Sequence, residues 1–105
     1  MCMIELGGNI VLNGFRDLEP PELVVVKKIV GTYARKFADQ LGEETRLHLS
    51  LKKVHAREKS EKYEIAARLE QGKAKPFAAK AMDRNLFVAM DAALKKVAVE
   101  SGVKA

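Results

Sequence analysis

Cysteine occurs once in these 105 residues, as Cys2, and tryptophan does not occur at all. A lone thiol can build neither a disulfide framework nor a thiolate metal cluster within the chain, so a reducing compartment is expected. Histidine is almost as scarce. His48 lies in an alternating segment and His55 in a charged one, with no His or Cys set around them at metal-ligand spacing; they read as surface histidines, and no metal site is expected. No apolar run approaches the ~20 residues needed to span a bilayer, and the N-terminus lacks a basic segment followed by an apolar one. The expectation is a cytoplasmic protein with no membrane partner.

Catalytic signatures are missing too. The glycines at Gly7, Gly8, Gly14, Gly31, Gly42, Gly72 and Gly102 fit neither a phosphate loop nor a dinucleotide fingerprint. Ser50, Ser60 and Ser101 have no nucleophile motif around them, and Glu43 and Glu44 sit at a helix end rather than as a separated acid and base. The chain therefore reads as non-catalytic and without a cofactor.

What is present is an ordinary globular composition, 48% hydrophobic and 31% charged, in a length that holds one core. A single domain over residues 1–105 is expected, with an ordered core at about 9–101. Residues 9–15 alternate, with Ile10 and Leu12 on one side, and predict a strand. Pro20, Pro21 and Glu22 mark a helix start. From Glu22 to Leu41 the residues Val26, Ile29, Val30, Tyr33, Phe37 and Leu41 form one helical stripe, closed by Gly42. Val24 and Val25 fall off that stripe.

Residues 46–54 alternate strictly, with Leu47, Leu49 and Leu51 inward and Arg46, His48, Ser50 and Lys52 outward. Residues 63–70 alternate likewise, and a turn at Gln71, Gly72 and Lys73 leads to a strand at 75–81 with Phe77, Ala79 and Ala81 inward. Pro76 cannot donate to a ladder, which places that strand at an edge. Asp83 is the expected N-cap of a last helix over 84–101, buried through Leu86, Phe87, Met90, Ala93, Leu94 and Val97. The fold class is α+β, in the order β-α-β-β-β-α: a four-stranded mixed sheet with both helices on one face.

Nineteen Lys and Arg against fourteen Asp and Glu leave a net charge of +5, which favours polyanionic partners. The positive charge is concentrated. Residues 52–62, expected as a loop, contain Lys52, Lys53, Arg57, Lys59 and Lys62 against Glu58 and Glu61. The predicted topology brings Lys80, Arg84 and Arg16 to the same end, beside the starts of both helices, whose free N–H groups suit phosphate oxygens. Tyr33, Phe37, Tyr63, Phe77 and Phe87 all fall on core faces, leaving no stacking platform for single strands. Structured RNA, met through its backbone and shape, fits this pattern better.

The stretch from His48 to Val97 resembles the core of the ribosome hibernation promoting factor and ribosome-associated inhibitor family, in its short form. The resemblance is carried most by Ala79 and Ala81 followed by Asn85, Leu86, Phe87, Val88, Ala89, Met90 and Asp91. It implies the same β-α-β-β-β-α order, and binding to rRNA of the small ribosomal subunit in the channel used by mRNA and tRNA, inhibiting or modulating translation. It also implies RNA contacts from Lys95 and Lys96, and from Lys80 and Arg84. The alternatives are a ribosome-assembly factor, or a protein-interaction module that meets its partner through Arg46, His48, Lys52 and Arg68. Self-association, as a monomer or a weak dimer, would use the edge near Pro76 or the off-stripe Val24 and Val25.

Overall fold

A computed structural model describes residues 3–6, 10–15, 18–42, 45–57, 60–72 and 75–103, with the backbone alone at 3–6, 55–57 and 60–61. Its elements are β1 (Met3–Leu6), β2 (Ile10–Asn13), α1 (Pro20–Leu41), β3 (Thr45–Arg57), β4 (Ser60–Gln71), β5 (Phe77–Asp83) and α2 (Leu86–Ser101). The strands lie side by side in chain order. β2 runs parallel to β3 across the α1 crossover, and the other neighbours are antiparallel. The expected β-α-β-β-β-α order is thus present. β1 adds a further short strand ahead of it, pairing with β2 from Met3↔Asn13 to Leu6↔Ile10.

Strand register explains the layering. Ile10 faces Leu47, which faces Leu69, which faces Phe77; Leu12, Leu49, Ala67 and Ala79 form the next row. Side chains alternate across a strand, so these rows share one face, and both helices cover it. From α1, Val26, Val30, Tyr33, Ala34 and Phe37 are buried, and from α2 Leu86, Ala89, Met90, Ala93, Leu94, Val97 and Ala98. Phe15, unassigned by its spacing, is fully buried as the chain turns from β2 toward α1. Val24 and Val25 are exposed on α1, as their phase predicts.

Local chemistry sets the element ends. The Glu19 amide donates to Glu22 Oε1 at 3.1 Å at the start of α1, where the two prolines need no partner for the hydrogens they lack. At its end the Gly42 amide donates to the Ala38 carbonyl at 2.9 Å. Gln71 Nε2 donates to the Leu41 carbonyl at 3.0 Å, which fastens that helix end to β4. The expected cap at Asp83 is corrected: Asn85 is the N-cap of α2, and its Oδ1 accepts from the amides of Phe87 at 2.9 Å and Val88 at 3.3 Å. Asp83 ends β5 and accepts from the Asn85 amide at 2.9 Å, so it fixes the turn that presents the cap. Both side chains suit an N-cap, and position decides between them.

A second correction concerns the charged segment. Within the expected loop at 52–62, residues 52–57 and 60–62 form a β-ribbon, in which β3 continues to Arg57 and β4 begins at Ser60, with a register irregularity between His55 and Arg57; residues 58 and 59 lie outside the described residues. Lys53 pairs with Tyr63, the partner of Asp83 at the end of β5. Beyond that row the ribbon projects with no strand on either side among the described residues, since β2 reaches only Ser50 and β5 only Tyr63. Thirteen residues of β3 at ~3.3 Å each match the 44 Å long axis of the molecule. With no core under this part of the ribbon, its sequence carries no apolar alternation to announce a strand.

Candidate nucleic-acid interface

The helices leave the other sheet face uncovered. By register it carries Val11 and Asn13 from β2, Arg46, His48, Ser50, Lys52 and Val54 from β3, Lys62, Glu64, Ala66, Arg68 and Glu70 from β4, and Ala78, Lys80 and Met82 from β5. Arg46, Ser50, Lys52, Arg68 and Lys80 are exposed. Across β2 to β5 basic side chains outnumber acidic ones on this face: Arg46, Lys52, Lys62, Arg68 and Lys80 against Glu64 and Glu70. The two carboxylates sit among the cations. Glu70 Oε1 is 2.8 Å from His48 Nε2, its Oε2 is 4.0 Å from Arg68, and Glu64 is 3.9 Å from Lys80 Nζ. At exposed positions such pairs hold geometry more than they add stability, and they leave Arg46, Lys52 and Lys62 without a carboxylate partner among the described residues.

Small side chains form the middle of this face. A shallow hollow of about 360 Å³ is lined by His48, Ser50, Ala66, Arg68, Ala78 and Lys80, among others. Neither Phe nor Tyr occurs among the described residues of the face. Such a surface lets a rigid phosphate backbone approach closely while cations meet it from both sides, and it offers unstacked bases no ring.

The end of the sheet gathers further charge. Lys52, Glu64 and Met82 share one row, and Lys53, Tyr63 and Asp83 the next, with exposed Arg84 directly after β5. α2 starts at this end, and α1 follows the end of β2, which runs parallel to β3. Lys52 and Lys53 also border a hollow of about 320 Å³ with Gly14, Leu18 and Leu51, where the chain leaves β2. The spatial expectation is therefore met for Lys52, Lys53 and Arg84, and Lys80 and Lys62 join from the open face. Arg57 is placed by its backbone near the ribbon tip. Lys59 and Arg16 lie outside the described residues.

Lys95 and Lys96 do not join this surface. They lie exposed on α2, which covers the opposite face of the sheet. Lys96 Nζ instead donates to the backbone carbonyl of Lys80 at 3.0 Å, on β5. Sequence reasoning left out other cations: Arg46 and Arg68 were assigned only to a protein-facing alternative, and the exposed Lys27, Lys28 and Arg35 of α1 were not singled out. The signal was available, since all of these occupy polar phases of a strand or helix pattern.

No family model matches the chain, and no curated protein matches it. Among the described residues no group of three or more His, Cys, Asp or Glu gathers as a metal site, and no helix is long and apolar enough to cross a membrane.

Proposed function

We propose that this protein is a non-catalytic RNA-binding factor that docks structured rRNA of the small ribosomal subunit on its open sheet face and basic sheet end, and thereby modulates translation. The observation that carries the reading is the uncovered face itself, a basic surface without aromatic rings among the described residues, leading to Lys52, Lys53 and Arg84 at one end. Basic surfaces without exposed rings suit the phosphate backbone of a folded RNA better than the unstacked bases of a flexible single strand. The resemblance of the stretch from His48 to Val97 supplies the ribosomal part of the proposal.

Co-sedimentation with small subunits, large subunits and intact ribosomes across a salt series tests it. The expected result is saturable binding to the small subunit that weakens as salt rises and drops at least tenfold when Lys52, Lys53 and Arg84 are changed together to alanine. Absence of binding at low salt would overturn the reading. Binding confined to immature small subunits would keep the RNA surface and move its role to assembly.

A further inference from the structure

β5 is the outermost strand on its side of the sheet. Along a strand, the N–H and C=O of one residue point the same way and those of the next residue point the other way. The Lys80 carbonyl accepts from Lys96 Nζ, a side chain of α2, so Lys80 turns its backbone groups away from β4. Ala78 and Met82 share its phase. Three residues of β5 thus present their amides and carbonyls at the free edge, and among the described residues the Lys80 carbonyl is the one of these groups that is covered, by one flexible lysine.

The surroundings of this edge have a definite chemistry. On the open-face side stand Lys80, which is exposed, and Met82, 48% exposed. On the helix side, α2 shows Val88 and Val99, 50% and 73% exposed, and a hollow of about 500 Å³ lined by Ala92, Lys95, Lys96, Val99 and Glu100. Lys75 precedes the strand and Arg84 follows it, both exposed. A strand laid along β5 would therefore have cations beside one set of its alternating side chains and aliphatic surface beside the other.

We infer that the β5 edge is a docking site for an extended acidic segment of a protein partner, which adds a sixth strand to the sheet with its carboxylates toward Lys80 and its apolar side chains under α2. Charge complementarity selects this occupant over a second copy of the chain. Two-fold pairing of β5 with itself about its midpoint sets Lys80 opposite Lys80 with a Lys96 beside each, and places Arg84 of one copy opposite Pro76 and next to Lys75 of the other, and like charges directly opposite on paired strands are destabilising. Lys96 acts as a removable guard, closing the edge against indiscriminate pairing and turning to a carboxylate when the partner strand arrives. This inference shares Lys80 and Arg84 with the RNA reading but rests on the backbone edge and the α2 flank, which lie outside the open face.

Fluorescence anisotropy with a labelled peptide, Thr-Glu-Val-Glu-Val-Glu-Thr capped at both ends, tests it on the full chain. The same peptide N-methylated at every internal amide keeps the charge and cannot form a ladder. The expected result is saturable binding of the parent peptide, at least tenfold weaker binding of the methylated one, and slowed amide exchange at Ala78 and Met82 in the complex. Ala78→Pro removes an outward N–H and should weaken the parent peptide at least tenfold. Should that variant fold poorly, Lys80→Glu, a change at an exposed side chain, should weaken the parent peptide by a similar factor. Equal binding of the two peptides, or no binding of either, overturns the inference, as does a β5-dependent homodimer in sedimentation equilibrium.

Discussion

Tyr33 of α1 donates its hydroxyl to Asp91 Oδ1 of α2 at 3.0 Å, a side-chain hydrogen bond that joins the two helices. The Tyr33 ring is otherwise buried, stacked at a tilt 6.2 Å from Phe37, with Lys36 Nζ 5.5 Å above it. Removing the hydroxyl as Tyr33→Phe keeps the ring and deletes the bond, so a loss of about 0.5–1.5 kcal/mol is expected in urea denaturation. The tyrosine hydroxyl is held above its ordinary value of 10.0, first by burial and then by the bond to Asp91 and the repulsion of that carboxylate. A raised pKa favours the neutral form in the folded state. The contribution is therefore complete below pH 10.0, the unfolded value, and is lost as pH rises through the higher folded value. Wild type should lose stability relative to Tyr33→Phe as pH rises above 10.0, measured as the difference in denaturation midpoint.

Gly14 ends β2 with φ +83°, and a Cβ built on it would collide with the Leu51 carbonyl of β3. Two costs follow for Gly14→Ala, a left-handed backbone that disfavours a side chain and a clash with a backbone atom that cannot rotate away. The expected loss is roughly 2–4 kcal/mol. Gly31 is a control, because an added Cβ meets nothing within 4 Å there and the helix interior favours alanine; Gly31→Ala should raise the melting temperature.

Asn85 carries the start of α2 alone, since Asp83 bonds only to the Asn85 amide. Asn85→Ala should cost about 1 kcal/mol. Asp83→Ala should cost less, because it loosens the turn and leaves both α2 amides bonded to Asn85. Thermal melts of the two variants side by side check the assignment, and an equal or larger loss at Asp83 would contradict it.

These positions show where the sequence was legible. Wherever a helix or strand lies over the core, as at Val26 to Phe37 or Leu47 to Leu51, burial selects apolar residues at the element's own period and the pattern names the element. The ribbon at 54–57 and 60–62 has no helix or further strand against it among the described residues, so its charges carry no period and read as a loop. β1 is too short, four residues beside two glycines, to establish alternation. The basic end was legible because topology follows from the elements. The path of Lys96 to the edge of β5 was not, because a flexible side chain's partner is set by three-dimensional packing rather than by spacing.

The open face makes a quantitative prediction about salt. Each cation that sits against a phosphate releases bound counterions, and the slope of log affinity against log salt flattens by ~0.7–0.9 for each phosphate left without its cation. Lys52 lies directly opposite Glu64 and Lys62 two residues before it on β4, neither pairing to it among the described ion pairs, so both are available to phosphates. Changing both to alanine should flatten the slope by about 1.5 and weaken binding similarly for every RNA sequence offered, because backbone contacts carry no base information. Lys80 behaves differently. It already lies 3.9 Å from Glu64, and Glu64→Gln should strengthen RNA binding by releasing it, an effect that Lys80→Ala would abolish. Titrations of the four variants against small subunits at several salt concentrations decide the matter; an unchanged slope in the Lys52, Lys62 double variant would move the RNA-binding surface off this face.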